Sequence, residues 1–253
     1  SLRRPACAAV LLLAATVAAT AFPADLRDRV SFDAGWRFQK GDPAGVGTSL
    51  DYASLKPALL ADSADPDFVV RAGADNPGAD VAYAQAGFDD TSWRSVDLPH
   101  DWAIEGPFDL KLNGATGRLA YAGPVWYRKT FATPAGAAGR RVLLDVDGAM
   151  SYASVWLNGH FLGGWPHGYT SFQVDLTGSL EPSGRNVIAI RLDTPDNASR
   201  WYPGGGLYRN VWLETVNPVR VAHWGAFVTT PVVSPAAATV KLQVNVTNED
   251  GAP

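Results

Sequence analysis

Aromatic and basic side chains crowd around three consecutive glycines in Ser199-Arg-Trp-Tyr-Pro-Gly-Gly-Gly-Leu-Tyr-Arg-Asn-Val-Trp212. A buried strand has no use for a glycine triplet, because glycine weakens strands and packs nothing. A flexible linker, in turn, would not carry Trp201, Tyr202, Tyr208 and two arginines. The segment therefore reads as a shaped surface loop that runs into a strand. Two further stretches have the same character: Leu98-Pro-His-Asp-Trp-Ala-Ile-Glu-Gly-Pro-Phe108 and Gly163-Gly-Trp-Pro-His-Gly-Tyr-Thr-Ser-Phe172. Each sets aromatic faces among Gly and Pro with a few polar groups beside them. That chemistry suits a sugar, whose C–H faces stack on rings while Arg, Asp, His and Asn hydrogen-bond its hydroxyls. A second role is open to the same rings, that of plugging the ends of a sandwich.

Other chemistries are poorly provided for. Hydrolysis of a glycoside needs two carboxylates facing one bond. Of the 25 acidic residues only four are Glu, at positions 105, 181, 214 and 249. Glu181 and Glu249 fall in expected turns and Glu214 on an expected strand, which leaves Glu105 alone in a promising loop. Asp89-Asp90 before Thr91 reads as turn chemistry. The four histidines, His100, His160, His167 and His223, lack the spacing of a metal site, so no metal or other cofactor is expected. There is no G-x-S-x-G elbow, P-loop or strand–G-x-G-x-x-G–helix unit. A net charge of −4 argues against nucleic acid as partner.

The elements that would hold these loops are short alternating strands, with no long amphipathic helix between them. Strands are expected at 125–131, 141–146, 151–157, 160–162, 186–192 and 209–216. Asn158-Gly159 is a strong hairpin signal. Residues 41–87 read as a long insertion with little regular structure, except for a short helix over 52–61. Near Asn217-Pro218 the texture changes. Residues 219–229 and 238–246 read as the opening strands of a second sandwich, with Thr247-Asn-Glu-Asp-Gly251 as a hairpin turn. The expected fold is all-β: a jelly-roll antiparallel sandwich over 22–217, then the first strands of an immunoglobulin-like sandwich over 218–253, cut short.

The N-terminus is laid out as an export signal over 1–21. Arg3 and Arg4 precede an apolar run from Ala6 to Ala19, and Ala19-Thr20-Ala21 fits a cleavage site. The run is too short for a spanning helix, so an exported protein, periplasmic or extracellular, is expected. Cys7, the only cysteine, lies inside the signal, so no disulfide is expected.

The motifs together resemble glycoside hydrolase family 2. Phe88-Asp-Asp-Thr-Ser-Trp93, leading into Leu98-Pro-His-Asp-Trp102, is similar to the family's F-D-D-x-x-W and L-P-H-D-W segment. Val125-Trp-Tyr-Arg-Lys-Thr-Phe131 resembles its W-Y-R-K-x-F strand, and Val155-Trp-Leu-Asn-Gly-His-Phe-Leu-Gly163 its V-x-L-N-G-x-x-x-G hairpin. Gly168-Tyr-Thr-Ser-Phe172 matches its G-Y-x-x-F. Ser199 to Arg209 is similar to the S-R-W-Y-P-G-x-G-I-Y-R block of the β-galactosidase-like branch. The segment Leu119 to Val125 departs from the pattern, which has a proline near Ala120 and a glycine near Val125.

The resemblance implies a sugar-binding domain whose loops help wall the active site of a later barrel in the same chain. That barrel would supply both glutamates of a retaining β-galactosidase-like enzyme, so this segment alone is expected to be inactive. The implied substrate is a terminal β-galactoside. β-Glucuronidase, β-mannosidase and a free-standing carbohydrate-binding module are the alternatives. The residues implied to approach the sugar are Arg200, Trp201, Tyr202, Asp101 and His100. Local roles stay open for three of them: His100 and Asp101 as turn braces, and Arg200 as the partner of a strand carboxylate.

Overall fold

The computed structural model describes residues 27–59, 69–71, 75–182, 184–196 and 199–250. The expected export signal over 1–21, with Cys7, lies outside them. The strands are β1 (Arg27–Ser31), β2 (Trp36–Lys40), β3 (Val69–Val70), β4 (Arg94–Val96), β5 (Gly123–Ala132), β6 (Arg141–Val146) and β7 (Ala153–Leu157). They continue as β8 (His160–Trp165), β9 (Phe172–Asp175), β10 (Arg185–Thr194), β11 (Val211–Val216), β12 (Val219–Val233) and β13 (Ala238–Asn248). One α-helix, α1, spans Tyr52–Leu59. Among the described residues no helix is long and apolar enough to cross a membrane.

Two sheets make the sandwich, ordered β1-β11-β6-β9-β3 and β4-β2-β5-β10-β7-β8. All pairings are antiparallel except the two-residue β3–β9 pair. Their facing sides interdigitate: Val142, Leu144 and Val146 of β6 and Phe172 of β9 meet Val125 and Tyr127 of β5 and Ile188, Ile190 and Leu192 of β10. Asn158 and Gly159, at φ of 54° and 85°, close the β7–β8 hairpin in the left-handed conformation that a two-residue loop needs.

The outer face of the six-stranded sheet is also buried, and here the insertion finds its purpose. Alternation in β5, β7 and β10 sends Trp126, Arg128, Trp156, Ala189 and Arg191 outward, yet none is more than 2% exposed. Val46, Leu50, Leu55, Val81 and Ala84 of the insertion cover the apolar members of this set. The two arginines also find carboxylates on this face, Arg191 with Asp42 of the insertion and Arg128 with Asp90 just after it, at 2.7 and 2.9 Å. Asp90 is thus an ion-pair partner as well as a turn residue, while Asp89 keeps the expected turn role by accepting from the Thr91 amide. The described residues of 41–87 have little regular structure, as expected, but they form a packed cover.

β12 and β13 form a separate two-stranded ribbon. Of the turn expected after the second strand at 247–251, Thr247 and Asn248 instead end β13, and Gly251 lies outside the described residues. Thr247 and Asn248 pair with Arg220 and Val219, and the ribbon reverses at Ser234–Ala237. Glu249 fastens the ribbon to the sandwich. It meets Arg71 at 2.5 Å, Arg141 at 2.8 Å and Arg220 at 2.9 Å. Against the opposing effect of burial, these three guanidiniums lower its carboxyl pKa from 4.5 to about 2. A lowered folded-state pKa stabilises the fold above the ordinary value, and that contribution is lost as pH falls from 4.5 through about 2. Amide-exchange protection of Val219 and Arg220 is therefore expected to fall in that window. Glu249→Gln should remove the pH dependence; if it persists unchanged in the variant, Glu249 is not the fastener.

Candidate functional site

The three loops singled out by their composition meet at one end of the sandwich. The amides of His100 and Trp102 donate to Leu207 O and Gly205 O at 2.8 and 3.2 Å, so the first two loops run side by side. Tyr208 Oη donates to Gly168 O at 2.9 Å, and Tyr169 Oη to Pro203 O at 3.1 Å, which ties in the third. Met150 and Gly206 exchange reciprocal backbone hydrogen bonds at 3.0 Å.

Two of the three glycines, Gly205 and Gly206, are explained by close approach, and Gly204 by its φ of 94°. A Cβ on Gly205 would lie 3.1 Å from Trp102 Nε1 and 3.3 Å from Asp101 Oδ1. On Gly206, at φ of 96°, it would lie 2.2 Å from Tyr127 Oη and 2.7 Å from His100 O. Side chains are excluded because the loop backbone lies directly on its neighbour.

Between the loops is a cavity of about 650 Å³, lined by 150–152, 166–169, Thr194, 199–201 and Pro203. Trp201 is 60% exposed and Tyr169 44%, and Trp201 Nε1 donates to Tyr169 Oη at 3.2 Å. The two rings are therefore held as an exposed pair rather than buried as plugs. Tyr152 completes the wall at φ of 49°, with Tyr52 of α1 packed behind it at 4.5 Å between ring centroids. Tyr152 and Met150 were not legible as site residues. Asp147-Gly148 marks a turn, but nothing local shows that the following residues fold back towards the third loop.

The five residues implied to approach a sugar divide. Arg200 and Trp201 line the cavity. Tyr202 turns away from it, packing edge-on to Tyr121 and donating to Asp101 Oδ1 at 2.6 Å. Burial and this carboxylate both push the phenol pKa up, so Tyr202 remains a donor at any ordinary pH. Asp101 Oδ1 also accepts from the Ala103 amide at 3.1 Å. Oδ2 carries no hydrogen bond among the described residues. The divergent segment 119–125 supplies Tyr121, so its departure from the family pattern bears on Tyr202 rather than on the cavity.

His100 is corrected to a brace. It is 8% exposed, lies edge-on to Phe38, and shares a hydrogen bond between Nδ1 and Tyr127 Oη at 2.8 Å. Its Nε2 meets Arg94 and Glu105 Oε1. Burial holds its pKa below the ordinary imidazole value, and neither nitrogen is left for a hydroxyl. Glu105, the glutamate in the promising loop, is spent on Arg94 at 2.7 Å. Glu214 is 2% exposed and pairs with Arg29 at 2.9 Å, on the outer side of the five-stranded sheet. Among the described residues no carboxylate lines the cavity.

The molecule is thus an all-β sandwich that presents an aromatic-walled cavity at its loop end. Residues 95–202 match the family model described as the glycosyl hydrolase 2 galactose-binding domain-like family. Over those residues the chain is similar to the galactose-binding-like domain of glycosyl hydrolase family 2. Over 174 residues, 68% of this chain, it is 44% identical to the β-galactosidase BoGH2A of Bacteroides ovatus. It is 32% identical over 166 residues, 65% of the chain, to a putative β-glucuronidase of Formosa agariphila. The alignments take in 20% and 16% of those relatives, so the chain spans a fifth or less of their length. Among solved structures, a β-glycosidase from Bacteroides vulgatus superposes with a TM-score of 0.67 at 30% identity, over 89% of this chain and 25% of that one.

Proposed function

We propose that this chain is the sugar-facing domain of an exported, retaining β-galactosidase-like glycosidase and forms one wall of its active site. The observation that carries the reading is the cavity itself, where Trp201 and Tyr169 present exposed rings beside Arg200. Ring faces of this kind take the C–H face of a sugar, and a few polar groups fix its orientation. The 44% identity to a β-galactosidase over this domain favours a galactoside as the substrate. In this reading Trp201 and Arg200 contact the sugar. Asp101 and Tyr202 are positioning residues, holding the Arg200–Trp201 loop against the Asp101–Trp102 loop from behind. The catalytic glutamates are supplied by a barrel outside these 253 residues, since three of the four glutamates here are held in ion pairs and none is among the residues lining the cavity.

The test is hydrolysis of aryl β-galactoside, β-glucuronide and β-mannoside by the protein encoded by the complete reading frame and by the 253-residue chain. The full protein is expected to prefer the galactoside, with Trp201→Ala lowering kcat/KM at least tenfold, while the chain alone turns over nothing. Preference for the glucuronide would replace the galactosidase reading. Turnover by the pure chain would overturn the assignment of the chemistry to another domain.

A further inference from the structure

Arg200 is the one arginine among the described residues for which the fold provides no partner. Each of the others has a carboxylate, a carbonyl or a hydroxyl within hydrogen-bond or ion-pair distance. Arg200 has none, although it lies on a loop that is otherwise densely bonded, and the alternative of a strand carboxylate partner is not realised. It also lines the cavity, whose described walls carry no Asp or Glu to neutralise it. A guanidinium offers five donors in a planar fork, the shape that a carboxylate or sulfate accepts two at a time.

We infer that the cavity recognises a sugar bearing an anionic oxygen group, a carboxylate or a sulfate ester, through Arg200. The inference rests on the carbohydrate reading of the cavity and narrows it: the natural glycan is acidic, at the terminal residue or at the one next to it. Trp201 and Tyr169 take the ring, and the fork takes the charge. The chain's net charge of −4 opposes an anion only weakly, because exposed charges beyond about 8 Å are screened at physiological salt. The unpaired guanidinium at contact distance dominates.

The experiment is titration of the 253-residue chain, followed by indole NMR, with methyl β-galactoside, its 6-sulfate and methyl β-glucuronide. At least one anionic probe is expected to bind tenfold or more tightly than the neutral one, and raised salt should narrow the ratio. Arg200→Met, at an exposed and unbonded position, should weaken the anionic probe far more than the neutral one and bring the ratio to about one. Whichever of the sulfate and the carboxylate binds more tightly identifies the source of the charge. Equal binding of neutral and anionic probes, or a ratio that survives Arg200→Met, overturns the inference and leaves the carbohydrate reading standing. Binding of no probe overturns both.

Discussion

Replacing Gly206 by alanine is expected to destabilise the sandwich by about 2–6 kcal/mol and to open the cavity. Two costs combine. At φ of 96° an L side chain is strained, by about 1–3 kcal/mol. The new Cβ would also stand 2.2 Å from Tyr127 Oη and 2.7 Å from a backbone oxygen, that of His100. Tyr127 is fully buried and cannot swing aside, so overpacking adds about 1–3 kcal/mol or displaces the loop. Displacement would break the Met150–Gly206 pair that holds one cavity wall to the other. Gly204 is the internal control. Its φ is 94°, but its Cβ would come no nearer than 3.8 Å to Asp101 Oδ2, so Gly204→Ala should show the strain alone. Denaturant unfolding of the two variants measures the difference. Equal losses would mean that close approach plays no part in selecting the triplet.

Asp42→Ala is expected to cost about as much by a different route. Arg191 is 2% exposed, and Asp42 meets it twice, at 2.8 and 2.7 Å, while also accepting from Trp126 Nε1 at 2.7 Å. Removing one partner of a buried pair strands the other charge in the interior, at about 3–5 kcal/mol. Asp193 at 3.2 Å and Leu50 O at 2.9 Å remain and place the loss towards the low end of that range. The double variant Asp42→Ala/Arg191→Met should regain most of it, since an apolar replacement of both partners is often neutral. The insertion also carries Tyr52, which backs Tyr152 in the cavity wall, so Asp42→Ala alone should loosen that wall as well. A loss below about 1 kcal/mol, or a double variant no more stable than the single, would show that the insertion is held by its apolar contacts alone.

What the sequence makes legible follows from what is local. Period-two alternation in Ala153, Val155 and Leu157 and the Asn158-Gly159 pair place β7 and its hairpin without reference to the rest of the chain. The role of the insertion and of the turn after it is not legible, because Arg128 and Arg191 look solvent-facing until Asp90 and Asp42 are brought to them from 38 and 149 residues away. Trp126 and Trp156 are ambiguous for the same reason. The end of β13 shows the limit of turn chemistry: Asn248 has turn propensity, but pairing with Val219 keeps it in the strand, two residues beyond the expected end. At the site, residue types identified all three loops. Which side chains would face the cavity depended on the loops' mutual packing, which put Trp201 in the open and His100 inside.

The central claim, that the loop end of this sandwich is a sugar site, is tested most directly by indole NMR of the chain titrated with a β-galactoside. Trp201, exposed on the cavity, should shift progressively, while Trp36, fully buried in the core, stays fixed, and Trp201→Phe should remove the moving signal. Saturable shifts confined to indoles away from the cavity, or no shift with any neutral or acidic galactoside, would contradict it.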